Sequence, residues 1–331
     1  MEKMNYRLNI RMFDVMTTET TTLSAEMKTF YDKYLLDNAT PNLVHNQFGQ
    51  KKSIPKNGGK TIEFRKYSTL PKATQPLTEG VTPDPNSLEV KAITTTIKQY
   101  GDWISLSDLL LLTAIDNNLV EAVQLLGDQM GRTLDTLTRE NINSGTNVLY
   151  APAGTTVVTQ RTNLAANSLM TAQLVMKGAA ILKGANAVPY DHDYVAVVHP
   201  YVAYDLMQSE DWKDWNKYTS PEKMYEGEIG KIGRVRFVES TEAKIWEKAA
   251  DSGSLSVYST LLIGKNAYGV IDIEGGGAET IVKQKGSAGT ADPLNQRASA
   301  GWKALHAAVI LSDEFMVRIE SCSSFATAAA N

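Results

Sequence analysis

Few residues in this 331-residue sequence combine the type and the spacing that chemistry requires. Gly58-Gly59-Lys60-Thr61 ends like a phosphate-binding loop, whose backbone amides would cradle phosphate oxygens. That loop needs another glycine where Ile54 stands, and a helix after it. Alternating polar and apolar residues follow instead, so the stretch reads as a turn leading into a strand. Asp191-His192-Asp193 offers three potential metal ligands in a row. Consecutive side chains diverge and no further His or Cys is near, so a solvated turn is expected. His199 and Asp205 suggest an acid–base dyad, but no Gly-x-Ser-x-Gly elbow accompanies them. His199-Pro200 reads as the start of a helix, and the lone Cys322 lies close to a frayed end. Glu210 to Lys217 sets Trp212 and Trp215 among charges, as a base-stacking platform would. Its acids outnumber its lysines, so packing of the tryptophans under a loop is expected. Glu63, Glu79 and Glu89 cannot be paired with another acid from spacing alone. No catalytic, cofactor-binding or metal-binding set emerges, and an enzyme is not expected. A hydrolase built on His199 is the alternative from that class.

Composition narrows the field further. Hydrophobic residues make up 43% and charged residues 21%, the balance of a globular chain long enough for two lobes. A net charge of −4 and a pI near 5.7 argue against a dedicated nucleic-acid reader. One cysteine excludes an intramolecular disulfide, and the four histidines are scattered. No apolar run approaches the roughly 18 residues of a membrane span, and the first twenty residues hold no secretory apolar core. A soluble protein made in a reducing compartment is expected. Charge is uneven, with +3 on residues 1–60 and −7 on the remainder.

The elements that must position any site follow from periodicity. Residues 1–50 read as an arm, with a Thr-rich stretch from Thr17 to Thr22 and one short helix carrying Met27, Phe30, Tyr31 and Tyr34. Thr61–Tyr67 alternates as a strand, and a second strand-like run extends from about Val90 to Leu106. Between them, Ser68 to Glu89 contains four of the eleven prolines, which argues against regular structure there. Two such arms of about ten residues would project about 30 Å, and an isolated ribbon is marginal in water. A hairpin of this kind needs a surface, and a neighbouring chain is the expected supplier.

A long helix from an Asp116 cap to about Asn143 should bury Leu119, Val123, Leu126, Met130, Leu134 and Leu137. Asp128, Arg132, Asp135 and Arg139 would then lie on other faces, while Gly127 and Gly131 invite a close backbone. A shorter helix spans about 171–183. Mixed α/β structure follows, with strands at Tyr194–Val198, Arg234–Glu239, Ser256–Ile263 and Tyr268–Ile273 and a turn at Gly275–Gly277. Two closing strands, Lys303–Leu311 and Phe315–Glu320, precede an Ala-rich tail, Phe325–Asn331, expected to fray. The fold class is α+β.

Several ordered blocks carry a resemblance. QKKSIPKNGGKTIEFRKYSTL, QPLTEGVTP, KQYGDWISLSD and LLGDQMGRTLD come first; VVHPYVAYDLMQSEDW, EIGKIGRVRFVES and DPLNQRASAGWKALHAAVIL follow. Together, from about Gln50 to Glu320, they resemble the major capsid protein family of N-four-like tailed phages and prophages. That family is similar in fold to the Hong Kong ninety-seven type capsid protein. The resemblance implies an N-terminal arm (1–50) and an extended hairpin loop (51–107). It implies a peripheral domain (108–186) with a spine helix at 116–143, an axial domain (187–300), and return strands with a tail (301–331). It implies self-association into hexamers and pentamers of an icosahedral virion capsid, assembled in the host bacterial cytoplasm. Partners would be a separate scaffolding protein, a portal and a decoration protein, with packaged double-stranded DNA contacted weakly and no membrane. Intersubunit contacts would come from Arg65, Lys66, Leu70, Lys72, Pro76, Leu77, Glu79 and Val81. Lys72 has no matching Asn and Glu for a crosslink, so none is expected. An encapsulin-like nanocompartment shell is the alternative within the same fold.

Overall fold

The computed structural model describes residues 35, 43–54, 59–68, 70–77, 79, 80, 82, 84–113, 118–217, 228–273, 278–287, 293–325, 330 and 331. The short helix expected before Asn38, the Asp116 cap and the Gly275–Gly277 turn fall outside them. The helices are α1 (Val44–Gln47), α2 (Asp108–Thr113), α3 (Asn118–Ile142), α4 (Ala172–Gly184), α5 (Pro200–Gln208) and α6 (Glu210–Lys217). Strands β1 to β4 span Gln50–Ile54, Thr61–Tyr67, Val90–Thr96 and Lys98–Ser107. Strands β5 to β9 span Val148–Tyr150, Tyr194–Val198, Glu228–Ile232, Val235–Glu239 and Ile245–Ala250. Strands β10 to β14 span Leu255–Ile263, Tyr268–Ile273, Glu279–Lys283, Arg297–Ile310 and Met316–Ser321. The chain divides into two units. One comprises Met1–Asn38, Gly101–Asp128 and Ala278–Lys303; the other comprises Ala39–Tyr100, Gln129–Gly277 and Ala304–Asn331.

The larger unit is organised on a seven-stranded sheet of order β5-β14-β10-β6-β8-β7, with β9 also on β10. Its central strands are apolar on both faces because both faces are covered. On β6, Tyr194, Ala196 and Val198 join the core under α4 and α5, while Val195 and Val197 join a second core with Ile142 of α3 and Tyr268 of β11. All five are buried, and each of the three valines contributes about 1.5–3 kcal/mol when fully buried. Helix α4 starts where the Thr171 hydroxyl accepts from the Leu174 amide, and α5 starts on His199, with Pro200 needing no amide partner. Also in this unit, β1 runs parallel to β11, and β11 pairs antiparallel with Ala307–Ile310 of β13.

In the smaller unit, Ser299–Lys303 of the same long strand pairs antiparallel with β12. Strand β4 also pairs with β13, and Gly301 permits the approach: a Cβ there would lie 2.8 Å from the Trp103 Cβ. Helix α2 continues from β4, its first amide donating to the Gln296 carbonyl at 2.8 Å.

Four expectations need correction. The run from Val90 to Leu106 is two strands, broken at Ile97, because its first half pairs with β2 and its second with β13. The C-terminal half of α3 buries Asp135, Thr138 and Arg139, while Leu134 and Leu137 are only half-buried. Those polar side chains are held by specific partners. The His45 amide donates to Asp135 Oδ1 at 2.7 Å, and His45 Nδ1 lies 2.6 Å from Asp135 Oδ2. Thr138 Oγ1 meets His306 Nε2 at 2.9 Å, and Arg139 donates to the Glu242 carbonyl at 2.6 Å. Residues 210–217 form a helix, and Trp212 packs against Phe237 of β8 rather than under a loop. The tail end is fastened instead of frayed: Phe325 stacks on Tyr201 at 4.4 Å, and Asn331 Nδ2 donates to the Ala243 carbonyl at 2.8 Å.

Candidate assembly interface

The residues first weighed for chemistry have structural work. His199 Nδ1 accepts from the Tyr201 amide at 3.2 Å, and its ring packs on Tyr201 and Tyr258. Burial pushes its pKa down to about 4, so it is neutral at physiological pH. Asp205 turns elsewhere and accepts from the Ser323 hydroxyl at 2.7 Å. Cys322 is buried, which pushes its thiol up to about 11 and removes its nucleophilicity. Asp193 accepts from Lys231 at 2.8 Å and Arg236 at 3.1 Å, an ion cluster on the β7–β8 ribbon, while Asp191 occupies the turn at φ 51°. Among the described residues no group of three His, Cys, Asp or Glu is placed to hold a metal. Lys60 and Thr61 lead into β2, and the Ile97 amide donates to the Lys60 carbonyl, which closes the foot of a hairpin.

That hairpin is the feature the rest of the fold does not absorb. Strands β2 and β3 pair antiparallel from Thr61↔Thr96 to Tyr67↔Val90, and among the described residues they form a two-stranded sheet. Its inner residues Ile62 and Phe64 pack with Ile97 and Ile271. Phe64 sits so close to β11 that a Cβ on Gly269 would lie 2.7 Å from its ring. Lysines fasten the same strand: Lys52 Nζ donates to the Glu63 carbonyl at 2.6 Å, and Lys66 Nζ donates to Ser312 Oγ at 2.8 Å. Anchoring stops at Tyr67. Beyond the final Ser68–Glu89 backbone bond, every described residue from 70 to 88 is exposed. Leu70, Leu77 and Leu88 show 52, 79 and 66% of their surface. Three large apolar side chains on one projecting loop are unusual for a surface that meets only water.

The expected contact residues therefore separate into two sets. Leu70, Lys72, Pro76, Leu77 and Glu79 lie together in the exposed tip, and Val81 falls outside the described residues. Arg65 is exposed on the ribbon and paired at 2.9 Å with Glu63, a contact that solvent screens. Lys66 makes its bond inside its own chain. The sequence marks the turn at Ser312 between the two closing strands but not β1, which supplies Lys52 and has no periodic pattern.

Known proteins place this architecture. The family model described as phage capsid protein matches residues 90–319, while no curated protein matches the chain. Among solved structures, the capsid of Ralstonia phage GP4 is similar at TM-score 0.67 and 14% identity, covering 85% of this chain and 88% of that one. The head structure of Helicobacter pylori bacteriophage KHP40 is similar at TM-score 0.61 and 11% identity, covering 98% of both chains. A virus-like particle from Pyrococcus furiosus is similar at TM-score 0.52 and 12% identity, covering 89% of this chain and 99% of that one. The α+β fold is of the Hong Kong ninety-seven capsid type. With the match spanning more than two thirds of its length, the chain belongs to the phage capsid protein family, a structural component of the virion shell and not an enzyme.

Proposed function

We propose that this chain is the major capsid protein of a tailed phage of the N-four-like kind, forming hexamers and pentamers of an icosahedral head around double-stranded DNA. The observation that carries the mechanism is the hairpin, anchored at its foot and exposed, with apolar side chains, beyond Tyr67. In this reading residues 51–107 are the extended loop that lies on the adjacent subunit. Residues 108–186 with α3 as spine, together with 301–331, make the peripheral domain, and 187–300 the axial domain. The arm, residues 1–50, ties neighbours together, with its net charge of +3. A separate scaffolding protein guides assembly, a portal occupies one vertex, and a decoration protein caps the finished surface. The modest net charge of −4 suits a container that contacts its DNA weakly. Deletion of Leu70–Leu88 tests the mechanism. The variant is expected to keep its far-ultraviolet circular dichroism but to form neither rings nor shells by negative-stain microscopy and light scattering. Normal shells would remove the hairpin from its role.

A protein nanocompartment without DNA is the second reading, favoured by the likeness in fold to the Pyrococcus furiosus virus-like particle. The nucleic-acid content of purified native particles separates the two.

A further inference from the structure

We propose that the cleft at the foot of the β2–β3 hairpin is the seat for the acidic tip of a neighbouring copy's hairpin. The inference rests on the reading that the hairpin lies on an adjacent subunit. The cleft encloses about 700 Å³ between β1, β2 and the turn after β13. Its apolar floor is made by Phe64, Ile93, Leu311 and Phe315. Three cations line it, Lys52, Arg65 and Lys66, against the single acid Glu63. Two of these cations are held in place over rings: Lys52 Nζ is 5.1 Å from the Phe64 centroid, and Lys66 Nζ is 5.6 Å from that of Phe315. A fixed positive surplus above an aromatic floor selects an extended segment that is both acidic and partly apolar.

The chain itself contains such a segment. Residues 73–89 carry Glu79, Asp84 and Glu89 with no Lys or Arg, and Leu77 and Leu88 are exposed there. None of the described tip residues lines the cleft of its own chain, because the strand pair ends at Tyr67↔Val90 and carries the tip onward. Each copy thus offers one tip and one seat. Tip into seat is a heterologous contact, which repeats head to tail and closes when the rotation between copies permits a ring.

Charge reversal tests the pairing in the full-length chain, with Lys66 left intact because it bonds Ser312. The tip pair is Glu79→Lys with Asp84→Lys, and the seat pair is Lys52→Glu with Arg65→Glu. Like charges would then face each other, so each pair is expected to raise the concentration needed for assembly by roughly tenfold or more in sedimentation velocity. All four substitutions in one chain recreate complementary charge and should return assembly to within about threefold of the parent. A tip pair without effect, or a fourfold variant no better than either pair, overturns the proposal. For the case in which a reversed variant does not fold, Gln50→Cys combined with Leu77→Cys provides a second measurement. A ladder of disulfide-linked dimers and higher species on a non-reducing gel is expected, and monomer alone overturns it. Deletion of Leu70–Leu88 keeps the two readings apart. If the deletion variant assembles, both fall; if it fails to assemble and charge is not interchangeable, only the seat falls.

Discussion

The seven-stranded sheet and the hairpin are both β-structure, yet they spend their side chains in opposite ways. Strand β10 is buried at all nine positions, between neighbours on both edges and cores on both faces. Strand β3 has no fully buried residue, and among the described residues it pairs with β2 alone. The sheet carries a large share of the stability of the larger unit, since apolar area removed from water is the main favourable contribution to folding. The hairpin contributes little to the fold beyond Tyr67. Its apolar tip side chains lower the free energy only when something covers them, and in the function proposed above a neighbouring copy does so. Burial thus marks where the subunit is stable, and in that proposal the exposed tip leucines mark where it associates.

Three experiments break or sharpen that contrast, the largest expected effect first. Leu262→Ala, at a fully buried position of β10, should cost about 3–4 kcal/mol of unfolding free energy in urea, the lost transfer plus the cavity. Acid should act on the larger unit through His306 of β13, which burial lowers to about 4 while the nearby Asp135 carboxylate opposes the shift. The unfolded chain takes up this proton below about pH 6.5 and the folded chain resists it to about pH 4, so stability is complete at neutral pH. It declines as pH falls between those values, by about 3 kcal/mol from this histidine. His199, which burial also lowers to about 4, adds a slope of the same sign over the same window. His306→Gln should flatten the curve measured by urea unfolding across that window; an unchanged slope would detach His306 from the acid response. Leu77→Ser, at the hairpin tip, should leave unfolding free energy within about 0.5 kcal/mol of the parent. Its effect should fall on assembly, seen as a higher threshold concentration in light scattering.

Much of this contrast is legible in the sequence, for reasons that differ by element. Tyr194–Val198 is continuously apolar because both faces of its strand are covered, and Pro200 marks the helix that follows. The hairpin is legible from alternation at Thr61–Tyr67 and from prolines that forbid regular pairing in the tip. The second half of α3 is not legible, because Asp135 and Arg139 resemble solvent-facing residues until their partners are known. Those partners, His45 and Glu242, stand 90 and 103 positions away in the chain. Strand β12 and the first third of β13 are equally hidden. The alternate buried positions there are Ala298 and Ala300, too small to stand out as an apolar period, and Glu279 faces Lys303 with both side chains exposed. The cleft at the hairpin foot brings together segments far apart in the chain; its β2 wall and the Leu311–Phe315 turn are readable as separate elements, while β1 and the meeting of the three are not.

The central claim is that the tip is uncovered in the subunit and covered in the shell. Hydrogen–deuterium exchange of residues 70–88, compared between unassembled subunits and purified particles, measures this directly. Fast exchange in the subunit and strong protection in the particle are predicted, with the amides of β10 protected in both. Equal, fast exchange of the tip in both states would contradict the account.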